Sequence, residues 1–195
     1  LNKGELELVV SSLSNNAAWG GGAIHSSGVL RIYDSLFKEN GGETTYAGGA
    51  IYFSTSGDSD IIIRNTMFYN NRASASCGGC SYGGGGAIWA HRKAQTGDKR
   101  LIAIINSTFD SNAVVDGAKG DDLFTLTEDL KDDNVRFLLI NNRYFPDKTD
   151  SSDDTRFGGD TNVPQGDICT GKNGYCGTQS CADAPTQCAD NGNIP

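Results

Sequence analysis

The chain has 195 residues and a formal net charge of −8, with 16 Lys and Arg against 24 Asp and Glu. This acidity argues against binding nucleic acid or anionic membranes through bulk charge. No run of about 18 apolar residues occurs, which excludes a helical membrane span. Glycine is abundant at 26 residues and proline is scarce at 4. The length fits one domain, alone or with a small appendage.

Two short phrases alternate along the first two thirds of the chain. Gly-Gly-Ala-Ile occupies 21–24, 48–51 and 85–88, and Phe-x-x-Asn occupies 37–40, 68–71 and 109–112. Such a repeat indicates one supersecondary unit copied along an axis. Each unit holds three short β-branched-rich runs separated by loops of variable length. The sequence therefore predicts an all-β fold, a right-handed parallel β-helix of about five rungs over residues 1–146.

The middle strand of each unit is predicted at 6–10, 30–34, 61–65, 102–106 and 138–142. Alternate side chains of a strand face the same side. Two columns are therefore expected to point into the core: Leu6, Leu30, Ile61, Ile102 and Leu138, and Leu8, Ile32, Ile63, Ile104 and Ile140.

A third column, at the end of the same strands, is mostly polar: Val10, Asp34, Asn65, Asn106 and Asn142. Asn and Asp tolerate tight corner geometry and bond neighbouring backbone groups. We expect a structural amide ladder here rather than catalytic residues. Asn106 also begins the sequon Asn106-Ser107-Thr108, a glycosylation acceptor in a secreted eukaryotic protein. A ladder would occupy that amide, which disfavours modification.

The outward positions of the middle strand change in character along the chain. They read Glu7, Arg31, Ile62, Ala103 and Leu139. The apolar second half would form an exposed patch that needs a cover. The Cys-rich tail is the first candidate for that cover.

The first strand of each unit carries a column of rings, expected to face outward: His25, Tyr52, Trp89 and Phe124. Exposed aromatic rings one strand spacing apart stack on sugars or anchor a protein partner. The alternatives are that these rings belong to the core, or that a loop covers them.

The alternating phrases resemble the repeat of chlamydial polymorphic membrane proteins, within the pectin-lyase-like superfamily of extracellular parallel β-helix proteins. The likeness covers roughly residues 5–145. Degenerate copies stand at 13–16, where Leu-Ser-Asn-Asn replaces Phe-x-x-Asn, at 120–123 and at 145–148. The resemblance implies a secreted or cell-surface passenger that acts in adhesion or surface display.

The same superfamily includes enzymes that cleave acidic polysaccharides. Gly120-Asp121-Asp122 resembles one phrase of polygalacturonases, but their Gly-His-Gly and Arg-x-Lys phrases are missing. A polar turn at the end of the repeat is therefore favoured over a catalytic site. The acidic stretch from Asp147 to Asp160 could supply oxygen ligands to Ca²⁺, yet it lacks the spacing of an EF-hand loop. We predict no cofactor, no metal site and no catalytic residues.

Six cysteines divide into two groups. Cys77 and Cys80 lie in a Gly-rich insertion and are expected to pin that loop. The others lie in the last 27 residues: Cys169, Cys176, Cys181 and Cys188. Disulfides in an oxidising compartment are favoured over a zinc site, because the tail lacks Cys-x-x-Cys pairs. The predicted organisation is the repeat domain 1–146, an acidic linker 147–168 and a Cys-rich tail 169–195.

The leading functional hypothesis is a non-enzymatic extracellular or cell-surface module with a structural or adhesive role. Self-association and binding to other surface proteins follow from unpaired strand edges at the ends of the stack. The alternative is a secreted protein that binds or cleaves carbohydrate through the aromatic column. Neither hypothesis includes nucleic-acid binding or membrane insertion.

Overall fold

The structure is a computed structural model that describes the backbone of most of the repeat region and four short segments of the linker and tail that follow it. The described residues are 1–55, 59–74, 84–93, 100–115, 123–128, 135–140, 142–145, 157–159, 168–169, 175–176 and 179–180. Side chains are described over 1–54, 59–74, 84–90 and 102–115, and at 123, 139, 142 and 143.

Within these ranges the only regular structure is β-strand, which confirms the predicted all-β class. In chain order the strands are β1 (Glu5–Val9), β2 (Ser12–Ser14), β3 (Ile24–Ser26), β4 (Val29–Tyr33), β5 (Leu36–Lys38), β6 (Ile51–Thr55), β7 (Ile61–Arg64), β8 (Met67–Tyr69), β9 (Arg72–Ser74), β10 (Ile88–Lys93), β11 (Arg100–Ile105), β12 (Thr108–Asp110), β13 (Ala113–Val115), β14 (Leu123–Glu128), β15 (Val135–Ile140), β16 (Arg143–Phe145), β17 (Phe157–Gly159), β18 (Ile168–Cys169), β19 (Tyr175–Cys176) and β20 (Gln179–Ser180).

The chain visits three sheets in turn. Sheet 1 has the order β17-β14-β10-β6-β3, sheet 2 begins β1-β4-β7-β11-β15, and sheet 3 has the order β16-β12-β8-β5-β2. All of these neighbours are parallel. The first unit gives β1 to sheet 2 and β2 to sheet 3, and each of the next four units gives one strand to each of the three sheets. Strands β9 and β13 form a further two-stranded parallel sheet. Parallel neighbours in sequence-separated units are the pairing expected of a stacked repeat.

One apolar cluster fills the space between the three sheets. Sheet 1 contributes Ile51 and Ile88, and sheet 2 contributes Leu30 and Ile63, all with no exposed surface. Leu6, Leu8 and Leu13 of the first unit are only partly buried against the same cluster. The predicted inward columns are therefore confirmed for the first four units.

The phenylalanine of Phe-x-x-Asn forms a continuous stack in sheet 3. The ring centroids of Phe37 and Phe68 are 5.1 Å apart, and those of Phe68 and Phe109 are 4.9 Å apart, with interplanar angles of 13° and 10°. All three side chains are fully buried. The ring separation matches the strand spacing of about 4.8 Å, so each unit adds one ring to the stack.

The asparagine of the same phrase forms a buried amide ladder. Asn40 Nδ2 donates to Asn71 Oδ1 at 3.0 Å, and Asn71 Nδ2 donates to Asn112 Oδ1 at 2.9 Å. The backbone N–H of each of these donors bonds the same oxygen. Asn16 continues the ladder into the first unit, where its Nδ2 donates to Asn40 Oδ1 at 3.0 Å. Buried amides are thereby satisfied between units.

The two glycines of Gly-Gly-Ala-Ile have different roles. The first adopts the left-handed conformation, with φ of +63° at Gly48 and +67° at Gly85, a region in which other residues are strained. The second permits close contact between units: a Cβ at Gly49 would lie 1.9 Å from the carbonyl oxygen of Gly86. The phrase is therefore explained by backbone geometry.

The predicted corner column is confirmed as a tight turn, and one contact of the predicted ladder is present in it. Asp34, Asn65 and Asn106 have φ of +50°, +51° and +51°. Their side chains are exposed, and the described contact between two of them runs from Asn65 Nδ2 to Asp34 Oδ1 at 3.0 Å. The corner column therefore combines left-handed backbone geometry with an exposed side-chain contact, and a second, buried ladder that the sequence reasoning missed lies in the Phe-x-x-Asn phrase.

The last unit is shifted by one residue from the predicted register. Ala103 pairs with Leu138 and Ile104 with Leu139, which is 1% exposed. The predicted register of this strand, and with it the prediction that Leu139 points outward, was therefore wrong. The run 135–140 is almost uniformly apolar, so it carries no alternation that could fix its register.

The same shift corrects two neighbouring positions. Asn142 accepts a hydrogen bond from the backbone N–H of Ser107 at 2.8 Å, so it lies one place beyond the corner column. Tyr144, rather than Phe145, pairs with Phe109. The degenerate Phe-x-x-Asn copy therefore starts one residue earlier than predicted.

The outward apolar patch differs from the prediction too. Ala103 is 2% exposed, Ile62 is half-buried and Leu139 is in the core. Beyond β15, sheet 2 continues with β18, where Leu138 pairs with Cys169, and then with antiparallel β19 and β20. Strand β17, within the segment predicted as a linker, pairs with β14 in sheet 1.

Candidate functional site

The predicted ring column lies on the outer face of sheet 1. The strand register places His25 beside Tyr52, Tyr52 beside Trp89, and Trp89 beside Phe124. The ring centroids of Tyr52 and Trp89 are 4.6 Å apart, and the two ring planes are nearly parallel, at 7°. His25 and Tyr52 are also 4.6 Å apart but meet at 64°. Ile24, Ile51 and Ile88 each precede a ring of the column and are buried in the core. Because successive side chains of a strand point to opposite faces, the rings point away from the core.

The expectation that the whole column is exposed was wrong for Trp89. Its side chain is 4% exposed and packs in a second apolar cluster with Tyr46 and Ala47, against which Tyr52 also rests. His25 and Tyr52 are half-buried. The segment before Gly48 therefore covers the rings, which is the loop-cover alternative considered from the sequence.

An aromatic pair that the sequence reasoning missed lies beside this column. Trp19 is 61% exposed and stacks on Tyr46, with centroids 5.2 Å apart and planes at 22°. The Tyr46 backbone N–H donates to the Trp19 carbonyl at 2.8 Å, so the two backbones are tied together. A signal was present: Trp19 and Tyr46 each stand two residues before a Gly-Gly pair.

The two rows of rings form one surface, here called the aromatic strip, made of Trp19, Tyr46, His25, Tyr52 and Trp89. Gly20 joins the rows, since a Cβ there would lie 3.3 Å from the Tyr52 ring. Trp19 is the strongly exposed ring of the strip. Stacked aromatic rings with one open face are suited to planar or apolar ligands.

Burial governs the ionisation of the strip. Desolvation lowers the pKa of His25, and the positive chain terminus at Leu1 acts in the same direction. The histidine is therefore neutral at pH 7. Desolvation raises the pKa of Tyr52, an effect partly opposed by its hydrogen bond with Ser54 and reinforced by Tyr46. The strip presents no charge of its own near neutral pH.

Several predicted residues lie outside the described side chains. They are Phe124, Asp121, Asp122, all six cysteines and the acidic stretch 147–160. Their roles stay predictions. Asn106 is described and exposed, at the left-handed corner after β11.

Among the described side chains, no three His, Cys, Asp or Glu residues are grouped as metal ligands. The described ranges also contain no helix long and apolar enough to cross a membrane. No protein-family model, curated protein sequence or solved structure matches the chain.

Proposed function

We propose that the chain is a right-handed parallel β-helix that serves as a non-enzymatic structural or adhesive module at the cell exterior. The observation that carries this proposal is that the residues of both repeated phrases pack against, or hydrogen-bond to, the neighbouring repeat units. Their glycines, isoleucines, phenylalanines and asparagines bond or contact the neighbouring units. A sequence repeated for packing builds a scaffold, and its outer faces are left for recognition.

The coil and its hand are supported by topology. The strands of successive units are parallel and adjacent in each of three sheets. Connections between parallel strands of one sheet are right-handed in roughly 98% of cases. A chain that returns to the same three sheets in the same order is best connected as one coil.

The exterior location is proposed from the cysteines and from the likeness to chlamydial surface-protein repeats. An even number of cysteines in a glycine-rich acidic chain suits an oxidising compartment. The proposed partners are other surface proteins, further copies of the chain or polysaccharide. No cofactor is needed for any of these roles.

The experiment is a paired test of retention and turnover. The fluorescently labelled 195-residue chain is incubated with acidic and neutral polysaccharides, both insoluble and soluble, and with intact cells. The fluorescence retained on the insoluble polysaccharides and on the cells measures the bound protein. We expect saturable retention on a surface without release of reducing ends or unsaturated uronates. Sustained cleavage that disappears in Asp121→Asn or Asp122→Asn would instead establish an enzyme and refute the proposal.

A second candidate, carbohydrate binding, is favoured by one observation: Trp19 is held on Tyr46 with most of its surface exposed. A rigid exposed ring is a suitable platform for a sugar face. This moves the candidate ligand position from Trp89 to Trp19. Loss of glycan-array binding in Trp19→Ala, with retention in a folded Met67→Ala control, would support it. Equal binding by both variants would exclude it.

A further inference from the structure

The turn between β11 and β12 carries a modification motif that neither candidate function uses. The sequence Asn106-Ser107-Thr108 is the one Asn-x-Ser/Thr sequon among the 195 residues. Such a tripeptide accepts an asparagine-linked glycan in a secreted protein when it lies at the surface. The motif alone does not show that context, so the placement of its three residues decides what it can do.

The three residues of the sequon lie in different environments. Asn106 occupies the left-handed corner, with φ of +51°, and its side chain is exposed. Ser107 is 1% exposed; its Oγ donates to the Ile105 carbonyl at 3.1 Å and accepts from the Thr66 backbone N–H at 3.2 Å. Thr108 begins β12 and is half-buried. A sugar on Asn106 would therefore project into solvent and leave the hydrogen bonds of Ser107 in place.

Backbone hydrogen bonds hold this turn against the preceding unit. The Asn65 N–H donates to the Ile105 carbonyl at 3.0 Å, and the Thr108 N–H donates to the Thr66 carbonyl at 2.9 Å. These bonds lie on either side of the corner. Asn106 is therefore presented from a fixed edge between sheets 2 and 3.

Modification leaves most of the hydrogen-bonding capacity of the corner amide in place. An asparagine side chain has one carbonyl oxygen and two Nδ2 hydrogens, and the sugar replaces one of these hydrogens. The contact at the neighbouring corner, from Asn65 Nδ2 to Asp34 Oδ1 at 3.0 Å, needs a single hydrogen. A corner contact of this kind on Asn106 can persist beside an attached sugar, so the predicted ladder does not oppose modification.

The described corners separate the two chemical requirements of the motif. Val10, Asp34, Asn65 and Asn106 are all exposed and all have positive φ. Val10 and Asp34 have no amide. Asn65 matches Asn106 in its φ of +51° and in its exposure, but Met67 stands where the sequon needs a hydroxyl. Among these corners, Asn106 alone combines the amide with a hydroxyl two residues later.

We propose that Asn106 is an asparagine-linked glycosylation site. Its Nδ2 attacks the anomeric carbon of an oligosaccharide carried on a lipid diphosphate. The bond from that carbon to the diphosphate oxygen breaks, the Nδ2–carbon bond forms, Nδ2 loses one proton, and the lipid diphosphate leaves. The donor faces the lumen of a secretory compartment, so this site rests on the exterior location proposed above.

The attached glycan has a defined position on the folded protein. It covers the edge between sheets 2 and 3, near Met67, which is 37% exposed and pairs with Thr108 in the strand register. Sheet 1, with the aromatic strip on its outer face, forms a different side of the stack. A glycan on Asn106 therefore shields one edge and leaves the strip accessible to a ligand.

The test is secretion of the full 195-residue chain, behind a secretion signal, from cultured mammalian cells. We expect one glycan on the native chain. A peptide N-glycosidase should remove it and convert Asn106 to aspartate in the peptide mass spectrum. Asn106→Gln and Thr108→Ala should both be secreted without the glycan. The second variant keeps the corner asparagine, so it separates loss of the acceptor sequence from loss of the corner conformation.

Met67→Thr supplies the matched gain of modification. It places a hydroxyl two residues after Asn65, whose φ and exposure equal those of Asn106, so a second glycan is expected on Asn65. A native chain secreted with Asn106 unmodified, or a glycan that persists in Asn106→Gln, would overturn the proposal. A Met67→Thr protein secreted with Asn65 unmodified would overturn the role given to the corner.

The surface-retention assay separates this site from the adhesive function on which it rests. It is run on the secreted protein before and after enzymatic removal of the glycan. Occupied Asn106 without retention in either form would refute adhesion and keep the glycosylation site. Retention by a protein that carries no glycan at Asn106 would refute the site alone.

Discussion

The Oδ1 atom of Asn71 accepts two hydrogen bonds from Asn40, one from its backbone N–H and one from its Nδ2, both 3.0 Å long. Asn71 Nδ2 also donates to the carbonyl of Phe37, in the same unit as Asn40, at 3.0 Å, and on the other side it donates to Asn112 Oδ1 at 2.9 Å. One fully buried amide therefore bonds the units on both sides of it. The ladder fixes the register of the stack, because a slip would leave these groups unpaired.

Asn71→Asp should destabilise the fold by about 3 kcal/mol, since it removes both Nδ2 donors and buries a negative charge. Urea unfolding at pH 7 measures the change. The control is Asn70→Asp, at the neighbouring left-handed position with φ of +50°. Aspartate tolerates that conformation, so its effect should stay within about 0.5 kcal/mol. Equal losses in the two variants would contradict the ladder.

Gly49→Ala should destabilise the fold by more than about 3 kcal/mol or prevent folding, because the new methyl group meets the Gly86 carbonyl oxygen. Gly4→Ala is the matched variant, since a Cβ there has nothing within 4 Å. Thermal melting of both proteins tests this. A Gly49→Ala protein as stable as Gly4→Ala would mean that adjacent units do not approach as described.

The two tryptophans should differ in access to solvent. Trp19 is 61% exposed and Trp89 is 4% exposed, so iodide should quench Trp19 fluorescence strongly and Trp89 weakly. The variants Trp19→Phe and Trp89→Phe each leave one emitter. Red-shifted emission is expected from the protein that retains Trp19. If the protein retaining Trp89 were the more strongly quenched, the covering of the column by Tyr46 and Ala47 would be wrong.

Protonation of His25 should destabilise the folded protein. Burial lowers its pKa from the ordinary 6.5, so below that pH the unfolded chain binds a proton that the folded chain resists. The contribution of His25 to the free energy of unfolding is nearly constant above about pH 6.5. It becomes unfavourable as the pH falls from there toward the lowered pKa of the folded protein. Urea midpoints between pH 8 and pH 5 should therefore decline more in the native protein than in His25→Gln. Parallel declines would contradict this assignment.

Much of the fold was accessible from the sequence because the repeated phrases are tied to backbone geometry. The pairing of Leu13 with Phe37 and of Ile88 with Leu123 agrees with the phrases alone. The register of Leu139 could not be obtained, because neighbouring residues are apolar on both faces of β15. The sequence offered a covering loop over the ring column as an alternative but could not decide for it, since the cover depends on how the segment around Tyr46 packs rather than on strand parity.

The most direct test of the stacked-coil architecture is a crystal structure of the 195-residue chain. The expected result is a right-handed coil in which Asn71 lies between Asn40 and Asn112, with the rings of Phe37, Phe68 and Phe109 stacked at about the strand spacing. A map in which these three asparagines belong to separate sheets, or in which consecutive units pair antiparallel, would contradict the fold and the structural role proposed from it.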